Sequence, residues 1–186
     1  ISTKAAIRVV DPNPANSAAY RSTQTAHDAA ANGDTIYVVG AASSYGVLNT
    51  SKSLTWIGPG YLLDQNPGSQ ANLYPASFSQ INVNDGSAGS SYMGLSSYNS
   101  GTVSFYVYDD NILIRRCRIQ SYIYGIEVMN VHSIIIEQCI VELTQVNVSS
   151  NIVFLMGGAE NVAIRNSLIW SPDGAAINAF HGTGSV

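Results

Sequence analysis

The chain is short of charge. Asp, Glu, Lys and Arg make up 11% of its 186 residues, against about 25% in an average soluble domain. A scaffold of long exposed helices is disfavoured on that ground, because such helices place charged residues on their solvent face. The deficit is not that of a disordered chain either, since 46% of the residues are hydrophobic and the net charge is only -4. Eight Lys and Arg against twelve Asp and Glu leave no basic footprint for nucleic acid. No apolar run reaches the roughly 18 residues of a membrane-spanning helix. Cysteine is scarce too: Cys117 and Cys139 are too few for a disulfide framework and lack metal-ligand spacing. The start, Ile1-Ser2-Thr3-Lys4, shows neither an initiator Met nor a signal-peptide hydrophobic stretch. It fits a processed mature start or a cut from a longer chain.

Small polar residues fill the space that charge leaves, with 24 Ser and 16 Asn beside 16 Gly. Together with the low charge they suit an extracellular or cell-surface protein. They are also arranged periodically. Residues 111–119 (NILIRRCRI), 133–141 (SIIIEQCIV) and 161–169 (NVAIRNSLI) align, their starts 22 and 28 residues apart. Each opens on a small polar residue, alternates apolar positions, passes a polar pair, and reaches a small residue before a second apolar pair. A fainter copy, 53–58 (SLTWIG), lies upstream. Second strands accompany them at 105–108, 125–128, 152–155 and 176–179. Alternation with period two and enrichment in Ile and Val indicate strands, not helical repeats. Units this short cannot each bury a face alone, so they stack as coils of a solenoid around one core.

Stacking them yields columns. Ile112, Ile134 and Val162 fall in one and Ile114, Ile136 and Ile164 in another, both facing inward. Cys117, Cys139 and Ser167 form an inward column of small residues near a turn, its thiols within disulfide reach but expected reduced. Arg115, Glu137 and Arg165 form an outward ladder of alternating sign, unlike charges meeting across strands about 4.8 Å apart. At the front, residues 18–31 are expected as a capping helix ended by Asn32-Gly33, followed by a first strand at 34–39 within the first coils at 34–61. Residues 62–101, polar and Gly/Ser-rich, are expected as a long loop excursion, and 102–180 as regular coils.

Two segments, 29–38 (AAANGDTIYV) and 53–61 (SLTWIGPGY), together with the three repeats, resemble right-handed parallel β-helices of the pectin-lyase-like superfamily, in the style of secreted and surface proteins of Bacteroidetes-type bacteria. The likeness covers roughly 18–180. It implies an all-β, right-handed parallel β-helix with an N-terminal capping helix in a single domain. It implies little about function, because such folds host lyases, hydrolases, adhesins and stalks.

Lyases and hydrolases of this kind place a cation or clustered carboxylates on an outer strand ladder. Here that ladder reads Tyr106, Glu127, Val153 or Leu155, and Asn178, with Tyr108, Met129 and Phe180 beside it. One carboxylate and no cation do not make a catalytic constellation, so no catalytic residue and no metal is assigned; calcium would enter only with an enzyme. Glu127 reads as a solvent-facing strand residue or a lone general acid. Asp109 and Asp110 sit at a turn that explains them, as do Asp85-Gly86 and Asp173-Gly174. His27, His132 and His181 have no recognisable partner. Arg115, Arg116 and Arg118 form the one basic cluster, read as charge pairing across coils before acidic-glycan binding. Asn49-Thr50-Ser51 and Asn147-Val148-Ser149 match the glycosylation sequon.

Tyrosine carries the recognition reading. Tyr92, Tyr98, Tyr106, Tyr108, Tyr122 and Tyr124 cluster in the chain, and aromatic faces with polar rims suit sugar rings and interfaces. Tyr106, Tyr108, Tyr122, Tyr124 and Glu127 are the candidate ligand-binding residues. The expected role is that of a non-catalytic extracellular or cell-surface module, adhesive, glycan-contacting or structural, with a polysaccharide or cell-surface glycan as the candidate partner; a polysaccharide lyase or glycoside hydrolase is the alternative. A self-assembling fibre is the third. A solenoid ending near Phe180 would leave apolar side chains and strand edges open, for further residues or a second copy stacked end to end to cover.

Overall fold

A computed structural model describes residues 5–65, 68, 72–145, 150–172 and 175–180. The sequon at 147–149, the turn at Asp173-Gly174 and His181 lie outside the described residues. The chain runs through β1 (Ile7–Val10), α1 (Thr23–Ala29), β2 (Thr35–Val38), β3 (Val47–Thr50), β4 (Thr55–Ile57), β5 (Ala76–Phe78) and β6 (Gln80–Val83). It continues through β7 (Ser91–Met93), β8 (Leu95–Asn99), β9 (Val103–Val107), β10 (Leu113–Arg115), β11 (Arg118–Ser121) and β12 (Tyr124–Met129). Last come β13 (His132–Glu137), β14 (Ile140–Leu143), β15 (Asn151–Met156), β16 (Glu160–Arg165), β17 (Leu168–Trp170) and β18 (Ala175–Phe180).

These strands wind into a parallel β-solenoid of three sheets. Sheet A holds β1-β2-β4-β7-β10-β13-β16, sheet B β3-β6-β9-β12-β15-β18, and sheet C β5-β8-β11-β14-β17. Every strand pair is parallel and in register with the equivalent strand of the next coil. No helix among the described residues is long and apolar enough to cross a membrane.

The core is a set of columns running along the axis. On sheet A, Ile36, Trp56, Tyr92, Ile114, Ile136 and Ile164 are successive register partners. Ile134 and Val162 pair beside them. Tyr92 is fully buried, edge-on to Phe105 at 5.4 Å, and its hydroxyl shares a 2.6 Å hydrogen bond with that of Thr50. It is therefore a core residue, which removes it from the tyrosine surface. Cys117 and Cys139 are buried free thiols, burial pushing the Cys117 thiol well up.

The coil corners explain the small polar residues. Asn111 takes left-handed backbone ahead of β10, and Ser133 and Asn161 do so at the second residue of β13 and of β16; Arg116, Gln138 and Asn166 do so just after the three strands. Asn accepts that conformation at little cost, which makes each repeat begin as it does.

The front end differs from expectation. Sheet A begins with β1, so residues 34–39 hold its second strand. The helix spans only Thr23–Ala29, starting after the N-cap Ser22. Tyr20 is drawn away from it by a bridge to Val10 and by a hydrogen bond from Arg8 to its hydroxyl. The helix packs beside the edge of β3, where Gln24 and His27 accept hydrogen bonds from the Asn49 and Ser51 amides, and His27 stacks on Trp56.

Residues 62–101 also differ: they carry β5 to β8 as regular coil strands. These strands are three to five residues long and separated by single residues such as Ser79 and Gly94. Their inward positions include buried Ser97, and Ser90 is buried just ahead of β7, so composition masks the alternation. One true excursion follows β4. Its backbone meets the next coil so closely that a Cβ at Gly94 would lie 2.6 Å from the Gly58 carbonyl oxygen. It then runs along the axis until the Tyr61 hydroxyl donates to the Gln138 carbonyl at 2.9 Å, after β13. Tyr61→Phe should lower unfolding free energy by about 1 kcal/mol, as for a typical hydrogen bond. Gly94→Ala should cost more, because its φ of 66° adds backbone strain to the clash. Urea denaturation of the two variants measures both, and a Tyr61→Phe curve matching wild type would show that this bond adds no stability.

Candidate functional site

The outer face of sheet B gathers most of the candidates. Its strands place Asn49, Asn82, Tyr106, Glu127, Phe154 and Asn178 in one outward column. Alternation along β9 and β12 turns Phe105, Val107, Ile126 and Val128 inward, all fully buried, and so sends the residues between them outward. Tyr106 and Tyr108 stack at 5.5 Å with ring planes 14° apart. One coil further, Tyr124 stacks on Phe154 at 5.1 Å and 12°. Asn82 donates to the Asn49 side-chain oxygen at 2.8 Å, extending a polar rung toward the helix end. All four rings are half-buried.

Glu127 is not the solvent-facing residue that alternation suggested. It points outward but is only 8% exposed, because large side chains flank it in the column: Tyr106 on β9 and Phe154 on β15. No hydrogen bond or ion pair reaches its carboxyl among the described residues. Burial raises its pKa, since the charged form loses hydration. Burial, and then the charge of Glu127, raise the Tyr108 phenol.

Tyr122 lies apart from this group. It follows β11 and meets Tyr98 of sheet C edge-on at 6.2 Å, the Tyr98 hydroxyl donating to that of Tyr122 at 3.4 Å. The tyrosines that cluster in the chain are thus divided among the core, sheet B and the sheet C corner.

Phe154 is the residue that sequence reasoning missed. Residues 152–155 (IVFL) are apolar without a break, so period two gives no phase, and the column position went to Val153 or Leu155. Val153 is instead fully buried beside Ile126. Only the register fixed by Asn151 opposite Tyr124 settles the assignment.

The arginines are engaged with one another's neighbours. Arg115 lies opposite Glu137, its Nε 3.3 Å from the carboxylate, and Glu137 lies opposite Arg165. Arg115 and Arg116 both donate through Nε to Gln138 Oε1 at 3.2 Å. Arg118 donates twice to Glu142. The turn acids are likewise used: Asp109 accepts from the Ala88 and Asp110 amides, and Asp110 from the His132 amide. Among the described residues no three His, Cys, Asp or Glu side chains gather as metal ligands would.

Comparisons with protein-family models, with curated proteins and with solved structures find no match.

A carboxyl whose pKa is higher folded than unfolded opposes folding once ionised. The penalty is absent below the unfolded value, grows as pH rises through the folded one, and is fully present above it. Glu127→Gln should therefore raise Tm at pH 7, by roughly 2–4 °C for each kcal/mol recovered, and lose that advantage on acidification below the ordinary carboxylate range. Thermal scans of both proteins across pH check this; an unchanged or lowered Tm at pH 7 would contradict an unpartnered carboxylate.

Proposed function

We propose that this chain is a non-catalytic, extracellular or cell-surface β-solenoid module that contacts glycans through the outer face of sheet B. The observation that carries the reading is the pair of ring stacks, Tyr106 on Tyr108 and Tyr124 on Phe154, either side of a single carboxyl. Aromatic groups with phenolic rims suit sugars, whose apolar ring faces stack while their hydroxyls hydrogen bond. The parallel solenoid supports the surface in a fixed geometry, so little ordering entropy is lost on binding. Kinship with pectin-lyase-like β-helices belongs to the same proposal and is supported by the segments 29–38 and 53–61.

Catalysis is the weaker reading for these residues. Glu127 is the one carboxylate among the strands of sheet B, whereas glycoside hydrolysis ordinarily takes two.

Isothermal titration with soluble oligosaccharides, neutral and charged, tests the proposal. Replacing Tyr106 and Phe154 together by Ala should weaken binding at least about tenfold, as expected when roughly 1.4 kcal/mol of stacking is lost. Tyr98→Ala should leave it within about twofold. Absence of binding to every sugar at millimolar concentration, or equal loss from Tyr98→Ala, would refute the sheet B face as a glycan site.

A further inference from the structure

Of the three strand glutamates withdrawn from solvent, two meet an arginine and one does not. Glu137 on sheet A meets Arg115 and Glu142 on sheet C meets Arg118 at 2.7 Å. Glu127 on sheet B meets no cation among the described residues, and the six strands of that sheet contain neither Lys nor Arg. Yet Glu127 is the least exposed of the three, at 8%. An ionised carboxyl withdrawn from water without a partner is costly, and nothing in the packing of sheet B requires it: Asn82, Tyr106 and Phe154 occupy the same column without charge.

Its surroundings are those of a cation site. Two aromatic stacks border it, Tyr106 with Tyr108 and Tyr124 with Phe154. Ring faces attract ammonium groups through their quadrupoles, and a carboxylate between them supplies the countercharge. The same chemistry repels a uronate, whose carboxylate would meet Glu127 with no cation on the sheet to offset it.

We propose that Glu127, with the two flanking ring stacks, is a subsite for a protonated primary amine on the bound glycan, so that the module selects sugars carrying an unacetylated amino group. This rests on the glycan-contacting role of sheet B. The ligand ammonium completes the ion pair that the chain itself leaves open, and the rings exclude water around it.

The test compares a glucosamine tetramer with its fully N-acetylated counterpart by titration calorimetry at about pH 7, further above the carboxylate range because burial raises Glu127 and still below the ordinary amine range. Wild type should bind the free-amine tetramer at least about tenfold more tightly. E127Q, which keeps shape and removes charge, should abolish that preference, so that the variant binds the two tetramers within about twofold of each other. Circular dichroism verifies that E127Q is folded; competition of methylammonium against the free-amine tetramer but not the acetylated one reads the same subsite in wild type without a variant. Preference surviving in E127Q would assign it to the net negative charge of the chain and overturn the proposal. Equal binding of the two tetramers by wild type would overturn it while leaving glycan binding intact. If wild type binds neither tetramer nor any neutral sugar, the glycan-contacting reading fails and the subsite with it.

Discussion

Parallel, in-register stacking is the constraint on which everything else depends. Each strand hydrogen bonds to its equivalent in the next coil, so a side chain's neighbours along the axis are fixed by the repeat and spaced by about 4.8 Å. Inward, this turns isolated apolar residues into continuous columns such as Ile114, Ile136 and Ile164. Outward, it places like positions in contact, and like charges at those positions would repel. The chain's poverty in charge follows from that geometry. The charges it keeps on sheets A and C are ordered by it into pairs, Arg115 with Glu137 and Arg118 with Glu142.

The same stacking explains what could be read from sequence. Where strands are three to six residues long and alternate cleanly, as in the repeats beginning at Asn111, Ser133 and Asn161, the columns follow from alignment alone. The corner residues were visible as small polar positions, though not their shared left-handed backbone. Legibility failed where alternation was hidden. In residues 76–99 the inward positions are occupied by Ser as well as Leu and Phe, so genuine strands look like loop. In β15 every position after Asn151 is apolar, so phase is lost and Phe154 was missed. At the front, Ala-rich composition extended the helix past residues that the packing of Tyr20 against Arg8 and Val10 keeps extended.

The site was legible in membership more than in state. Tyr106, Tyr108, Tyr124 and Glu127 do share one face, but the burial of Glu127 arises from neighbours one coil away on either side, 21 and 27 positions distant in the chain (106, 127 and 154). No local pattern carries that information. Tyr92 and Tyr122 belong to other parts of the molecule for the same reason: a run of tyrosines in sequence is cut up by three sheets in space.

The Tyr61 contact bears on how such a molecule comes apart. Solenoids are commonly treated as one-dimensional chains of units, each coupled only to its nearest neighbours, so that ends fray and opening can spread from any point. Tyr61 follows β4 and binds the corner after β13, with β7 and β10 lying between them in sheet A. That bond links coils that do not touch through their strands. Fraying that reaches the coil of β4 or that of β13 must break it, so the bond adds a coupling of about 1 kcal/mol between coils that counting adjacent interfaces would leave out.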